Sequence, residues 1–146
     1  MRLSPSSLDL IKRRTGLTLK AHQDPQGTWF IGYQHYGDVH DGMEITEEEA
    51  QAKLEQEIDR IEPLLAGLLK VQVNPGQWDA LVMLVFDFGF ARFRSSMLLR
   101  HVNNGDFERA AAEFPKWNQL GGRPNATMMR RRDIDRQVFL SGQVPA

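Results

Sequence analysis

Residues 10–35 read LIKRRTGLTLKAHQDPQGTWFIGYQH, and this stretch decides the fold. A helix that begins at Ser4 and Pro5 should end at Gly16, because serine caps free amides, proline is tolerated at the first helical position and glycine stops a helix. After Gly16 the apolar residues alternate on both sides of an Asp-Pro-Gln-Gly turn, which is typical of two antiparallel strands. The pattern therefore predicts a short helix that leads into a small sheet, with Thr15 projecting into a cleft from the last helical turn.

This segment is similar to the start of phage-type lysozymes (endolysins) of glycoside hydrolase family 24, whose pattern runs roughly I-K-x-x-E-G-x-x-L-x-A-Y-x-D-x-x-G-x-x-T-I-G-Y-G-H. The positions in step with that pattern are Ile11, Lys12, Gly16, Leu19, Ala21, Asp24, Gly27, Ile31, Gly32, Tyr33 and His35. The resemblance continues in the family's order at residues 42–50, 79–96, 117–122, 130–132 and 139–140. It covers nearly the whole chain, so the sequence is identified as a member of that family.

The resemblance implies an α+β, lysozyme-like fold in which a long helix joins a small β-sheet lobe to a larger helical lobe. Within this single domain we expect residues 1–45 to form the small lobe with the active-site segment, residues 46–70 the linking helix and residues 71–146 the helical lobe. Local signals agree, because Thr46 opens a capping box before an apolar stripe, and Asn74 precedes a helix that is apolar on nearly all sides.

The catalytic residues of the family are a glutamate that acts as acid, and an aspartate and a threonine that position water. In this chain Thr15 replaces the glutamate, Phe30 replaces the threonine, and only Asp24 remains. Cleavage of a glycosidic bond normally takes two carboxyl groups, one of which must protonate the departing oxygen. Threonine has no such proton to give, so the resemblance predicts an altered catalytic site.

A relocated acid is the alternative. His22 lies two residues before Asp24 and, as a histidine, is a candidate proton donor, and Asp41 or Glu44 would be other sources of a proton. A second interpretation of His22 is that it fills the aromatic position that the family has there. Asp24 likewise has a structural interpretation, since aspartate is favoured at turns.

The candidate substrate-binding residues are Tyr33, Gln34, His35 and Phe88. Saccharides bind through apolar ring faces and polar edges, and Gln34 stands where the family has glycine, which would reshape the cleft. Core packing is the competing interpretation for Tyr33. His35 matches the family's histidine, and Glu57 on the following helix is a candidate partner for it.

Composition excludes several other classes of function. The chain has 146 residues, 41% of them hydrophobic, which is enough for one core. It has no cysteines, its four histidines are dispersed, and no phosphate-binding glycine loop is present, so we predict no metal and no cofactor. The run Arg130–Arg132 is expected to form salt bridges between the lobes, with Asp135 and Glu113 as partners, rather than to bind nucleic acid.

The leading hypothesis is a lysozyme-like protein of phage or prophage type that binds peptidoglycan or a phage or host protein, with lost or strongly reduced muramidase activity. The alternative is an active endolysin or tail-associated muramidase that uses Asp24 and a relocated acid. No apolar run reaches the roughly 20 residues of a membrane helix, and the N-terminus lacks the apolar core of a secretory signal. We therefore expect a soluble monomer, without membrane contact, that reaches the cell wall or a phage particle only if it is released or carried.

Overall fold

Seven α-helices and two small antiparallel sheets make up residues 1–145, the part of the chain that this computed structural model describes. The helices are α1 (Pro5–Thr15), α2 (Glu47–Leu68), α3 (Pro75–Phe88), α4 (Phe90–Arg94), α5 (Met97–Asn103), α6 (Phe107–Glu113) and α7 (Ala126–Ser141). The strands are β1 (Thr18–Gln23), β2 (Trp29–Gly32), β3 (His35–Tyr36), β4 (Gln119–Leu120) and β5 (Arg123–Pro124), and a 3₁₀ turn spans Phe114–Lys116. The predicted α+β class is confirmed.

The helix α1 has the boundaries that the sequence predicts, and it leads into the predicted small sheet, which has a third strand beyond the two predicted. Ser4 caps α1, its Oγ accepting from the amide of Ser7 at 3.2 Å, and Gly16 follows the last helical residue with φ of 71°. The strands pair in the order β1-β2-β3, each antiparallel to its neighbour. Thr15 thus lies at the junction between helix and sheet.

The helix α2 joins the sheet to the other helices. Thr46 and Glu49 form the predicted capping box, with reciprocal hydrogen bonds of 3.1 and 3.2 Å. The helix continues through Pro63 to Leu68 without being broken. Its buried stripe begins at Ala50 and packs on β2 at one end and on α3 along its length.

The centre of the core is α3, in which every residue from 76 to 85 is buried. Asn74 caps it, and Gly89 ends it with φ of 89°. Its most extensive packing is against α7, whose C-terminal glycine, Gly142, lies directly over Gly76. A Cβ atom built on Gly76 would lie 2.5 Å from the Cα atom of Gly142 and 2.7 Å from the carbonyl oxygen of Val138.

We expect Gly76→Ala to destabilise the protein by about 1–3 kcal/mol, because the two backbones must separate to admit a methyl group. The matched control is Gly67→Ala in α2, where an added Cβ atom would meet nothing within 4 Å. That substitution should stabilise by about 0.5–1 kcal/mol, since alanine favours a helix over glycine. Urea unfolding of both variants measures the two effects, and equal stabilities would contradict the close approach of α3 and α7.

Candidate active site

Thr15 occupies the position of the family's glutamate, and its hydroxyl is used within its own helix. The Oγ1 atom donates to the carbonyl oxygen of Ile11 at 2.9 Å and lies 3.4 Å from that of Lys12. A hydroxyl held in this way is the usual arrangement of threonine within a helix. It offers neither a carboxyl proton nor a strong hydrogen-bond donor to a bound ligand.

Asp24 builds the turn between β1 and β2. Its Oδ1 atom accepts from the amides of Gln26 and Thr28, both at 2.9 Å, and its Oδ2 atom accepts from the hydroxyl of Tyr36 at 3.3 Å. Burial raises the pKa of Tyr36, and the Asp24 carboxylate raises it further. The Oδ1 atom of Asp24 therefore stabilises the turn, and its Oδ2 atom accepts from the Tyr36 hydroxyl, which keeps its proton at neutral pH.

Three aromatic side chains form a row across the sheet, one from each strand: His22, Phe30 and Tyr36. His22 pairs with Phe30, and Phe30 pairs with Tyr36, so that all three project from the same face. The ring centroids are 6.5 Å apart in the first pair and 5.9 Å in the second. The neighbouring residue Ile31 points into the core and is fully buried, which places the aromatic row on the opposite face of the sheet.

The residues named as substitute acids do not gather around Asp24. The Nδ1 atom of His22 lies 2.7 Å from the carbonyl oxygen of Lys20, and because a carbonyl only accepts, this nitrogen carries the proton. Glu44 pairs with Lys20 instead, at 3.6 Å, and Asp41 is exposed. Within residues 1–145 neither carboxylate has a hydrogen bond to the aromatic row.

Arg131 on α7 lies beside the end of α1. Its Nη2 atom donates to the carbonyl oxygen of Arg14 at 2.9 Å, and its Nη1 atom donates to Asp87 at 3.1 Å. Its Nε atom is buried and has no hydrogen-bond partner in the part of the chain that the structure describes. The positive charge also lowers the pKa of Tyr36, although burial and Asp24 outweigh it. Arg131 therefore brings a cation to the end of α1, where Thr15 lies, and close enough to Tyr36 to affect the pKa of its hydroxyl.

Within residues 1–145 the salt bridges of the arginine run lie within α7 and between α7 and α3, so they do not connect the two lobes as predicted. Arg132 pairs with Asp135, as predicted, and both Arg131 and Arg132 pair with Asp87. The prediction for Glu113 is wrong, because this carboxylate pairs with Lys116, three residues further on in the 3₁₀ turn. The signal that identifies Asp87 is a charged residue near the end of a largely apolar helix, which carries one other charge, Asp79, near its start.

A cavity of about 120 Å³ lies between the sheet and helices α2 and α3. Its walls are formed by Tyr33, Gln34, His35, Tyr36, Lys53, Leu54, Glu57 and Phe86. Three of the four predicted substrate-binding residues line this cavity, namely Tyr33, Gln34 and His35. The fourth, Phe88, lies elsewhere, with its ring centroid 5.3 Å from that of Trp117 and 5.0 Å from the guanidinium carbon of Arg132.

His35 and Glu57 share the cavity wall but form no ion pair in residues 1–145. Glu57 accepts from Arg60, one turn along α2, at 2.6 Å. Burial lowers the pKa of His35, and the charge of Lys53 lowers it further, while Glu57 acts weakly in the opposite direction. The imidazole is therefore neutral at physiological pH, and the suggested pairing with Glu57 is not formed.

Sequence reasoning missed three contributors to this region: Tyr36, Lys53 and Phe86. Tyr36 is one residue beyond the matching pattern, and its contact with Asp24 depends on the short pairing of β2 with β3. Lys53 and Phe86 enter the cavity from separate helices. Only the helical periodicity of α2 and α3, combined with the packing between them, would have identified these two.

Among residues 1–145 no group of three histidine, aspartate or glutamate side chains is placed to hold a metal ion. None of the helices in the same range has the length and apolarity to cross a membrane.

The chain is similar in sequence to known phage endolysins. The chain is 39% identical over 145 residues to the endolysin of Acyrthosiphon pisum secondary endosymbiont phage 1, covering 97% of this chain and 99% of that protein. It is 38% identical over 146 residues to the endolysin of Bacillus phage B103, covering 98% of this chain and 56% of that protein. The chain thus spans about half the length of the Bacillus phage relative.

The fold is similar to that of an endolysin from Escherichia coli O157:H7 phage FAHEc1, with a TM-score of 0.91 and 28% sequence identity, covering 100% of this chain and 98% of that chain. This similarity confirms the predicted lysozyme-like fold. The model of the family described as phage lysozyme matches residues 12–135. Because the match covers most of the chain, including the segment from Thr15 to His35 and the run Arg130–Arg132, the chain belongs to the phage lysozyme family.

Proposed function

We propose that this protein binds peptidoglycan in a lysozyme-type cleft and has lost most or all of its muramidase activity. The observation that carries the proposal is the state of Thr15, whose hydroxyl bonds to the carbonyl of Ile11 where the family has its acid. A general acid contributes typically about 10²–10⁴-fold to a rate. Without it, Asp24 has no partner to protonate the leaving oxygen.

The cleft retains features that suit a glycan. The aromatic row His22–Phe30–Tyr36 supplies apolar ring faces, and Tyr36 is 44% exposed. The Oδ2 atom of Asp24 and the hydroxyl of Tyr36 supply polar groups at the edge of that row. Sugar rings are bound by this combination of flat apolar surface and few, well-placed polar groups. Phe30, which removes a catalytic hydroxyl, at the same time enlarges the apolar surface.

The second candidate function is that of an active muramidase that hydrolyses the β-1,4 bond between N-acetylmuramic acid and N-acetylglucosamine. It is favoured by the identity to proteins named endolysins along nearly the whole chain and by the retention of Asp24. His22 would be its acid in the imidazolium form, donating the proton on Nε2 while Nδ1–H stays bonded to the carbonyl oxygen of Lys20. As with endolysins, the protein would act at the cell wall after release, or it would act within a phage particle. A phage or host protein is a further candidate partner.

Release of reducing sugar and co-sedimentation, both measured on the same purified peptidoglycan, test the proposal. We expect the protein to sediment with peptidoglycan and to release no more sugar than buffer. Hydrolysis with a bell-shaped pH profile that disappears in His22→Ala would contradict the loss of activity and favour the second candidate. If neither sedimentation nor hydrolysis occurs, the function lies with a protein partner, and glycan binding is refuted.

A further inference from the structure

Glu62 on α2 is a buried carboxylate of which only one oxygen is hydrogen-bonded. Its side chain is 6% exposed, and its Oε2 atom accepts from the amide of Leu3 at 2.8 Å and from the indole Nε1 of Trp78 at 3.0 Å. Its Oε1 atom is buried and has no hydrogen-bond partner within residues 1–145. A buried acceptor without a donor is destabilising, and more so when it belongs to a charged group. The Oε1 atom is therefore available to a donor from outside the chain.

The cation nearest to this oxygen among residues 1–145 is the guanidinium of Arg2, which is held loosely. Its Nη1 atom lies 3.4 Å from Oε1 of Glu62, while its Nη2 atom donates to Asp59 at 3.0 Å. The Arg2 side chain is 76% exposed, and solvent screens ion pairs of such side chains. A guanidinium binds a carboxylate best through two parallel hydrogen bonds, but the Oε2 atom of Glu62 is already occupied. Arg2 therefore covers the Oε1 atom without forming a hydrogen bond to it, and a better donor can replace it.

A cavity of about 260 Å³, termed the Glu62 cavity, lies between the N-terminal segment and helices α1 and α2. Its volume far exceeds the roughly 10–15 Å³ needed for one water molecule, so it can admit an organic group. Its wall combines three apolar side chains with three acids and one base, namely Leu3, Leu8, Ile58, Glu55, Asp59, Glu62 and Arg2. The excess of acids favours a cation, and the apolar residues favour a hydrocarbon stem. The wall therefore matches a ligand that has a cationic head on an aliphatic chain.

We propose that the Glu62 cavity is a binding site for an aliphatic primary ammonium. The ammonium donates to the Oε1 atom of Glu62 in place of Arg2, and its aliphatic stem packs against Leu8 and Ile58. An ammonium suits a single free oxygen better than a guanidinium does, because it is a compact point charge that needs no second acceptor. A metal ion fits less well, since among residues 1–145 no group of three histidine, aspartate or glutamate side chains is placed to hold one. Free diamines and the lysine side chains of peptides both carry the required group.

The Glu62 cavity is separate from the proposed glycan-binding cleft. It lies beside the first turn of α1, whereas Thr15 is in the last turn, about 10 Å further along the helix axis. Its wall shares no residue with the cavity between the sheet and helices α2 and α3. Amine binding and sedimentation with peptidoglycan are therefore independent measurements, and the failure of one proposal leaves the other standing.

The indole of Trp78 reports on this site, because its N–H donates to the Glu62 carboxylate. Cadaverine, Nα-acetyllysine methylamide and n-pentanol are each titrated into isotope-labelled protein, and the Trp78 indole N–H signal is followed by NMR. The three probes have similar aliphatic stems, but only the first two carry an ammonium. We expect saturable shifts with the amines and none with n-pentanol. A response to cadaverine alone assigns the site to free diamines, and a response to the acetyllysine alone assigns it to peptides. Equal responses to cadaverine and n-pentanol, or no response to either amine, would overturn the proposal.

Two variants of equal charge separate binding at Oε1 from general electrostatic attraction. Arg2→Gln removes the competing guanidinium, and we expect the affinity for the amine that binds to rise about 2–5-fold. Arg60→Gln is the matched control, because Arg60 is also an exposed and paired arginine but is not part of the wall of the Glu62 cavity. It should leave the affinity within about twofold of wild type. Equal affinities in the two variants would overturn the competition between Arg2 and the ligand for Oε1.

Glu62→Gln tests the carboxylate itself. Glutamine keeps the shape of the side chain and an oxygen for the Leu3 amide and the Trp78 indole, but it removes the charge. We expect the affinity for the amine to fall about 10–100-fold, as for a hydrogen bond to a charged group. An unchanged affinity would overturn the role of Glu62. If this variant does not fold, the comparison of Arg2→Gln with Arg60→Gln decides the assignment on its own.

Discussion

Replacing Thr15 by glutamate and Phe30 by threonine in one variant is expected to raise the release of reducing sugar from peptidoglycan by about 10²-fold or more over wild type. The first change supplies the carboxyl group that protonates a departing glycosidic oxygen, worth typically about 10²–10⁴-fold. The second removes the phenyl ring from the face where Asp24 and Tyr36 meet, and makes room for water.

The single variants separate the two contributions. Thr15→Glu alone should gain less than the double variant, because Phe30 still excludes water, and Phe30→Thr alone should gain nothing measurable. Thr15→Gln combined with Phe30→Thr is the matched control, since glutamine has the shape of glutamate without its proton. Equal sugar release by wild type and the double variant, both above the buffer level, would mean that another residue already serves as acid, and His22→Ala would test whether it is His22. Release at the buffer level by both would contradict the expected gain.

Local signals in the sequence were sufficient for most of the fold. Ser4, Thr46 and Asn74 each form the cap that starts a helix, and their side-chain hydrogen bonds to backbone amides are present in the structure. Such signals act over three or four residues and need no knowledge of the rest of the chain. The short helix α4, by contrast, has no capping side chain and was not predicted.

The candidate site was less accessible to prediction, because its contacts join distant parts of the chain. Thr15, Asp24 and Phe30 were located through the family pattern, but the bond from Tyr36 to Asp24 depends on the register of β2 and β3. The pairing of Arg131 with Asp87 spans 44 residues. Side chains that are far apart in the sequence meet only after the helices and strands have packed together. Periodicity in the sequence therefore identifies which face of a helix or strand is buried, but not which residue of another element it contacts.

Replacing Asp135 by asparagine is expected to destabilise the protein by about 3–5 kcal/mol, the range observed when one partner of a buried ion pair is removed. Asp135 is fully buried, and its two oxygens accept from Arg14 and Arg132, each at 2.9 Å. Arg132 is also fully buried, and its other contacts are to Asp87 and to the carbonyl oxygen of Trp117. Neutralising Asp135 would leave three arginines of this cluster, Arg14, Arg131 and Arg132, with the single carboxylate of Asp87.

Urea unfolding of Asp135→Asn beside Asp9→Asn measures this effect against a surface pair. Asp9 and Arg13 lie on α1 with 67% and 57% of their side chains exposed, so loss of their pairing should cost less than about 1 kcal/mol. Because Arg14 precedes Thr15 directly, Asp135→Asn should also loosen the end of α1, and peptidoglycan sedimentation should weaken at temperatures below Tm. A loss of stability as small as that of Asp9→Asn would show that solvent reaches the cluster, and that Arg14 does not hold the end of α1 in place.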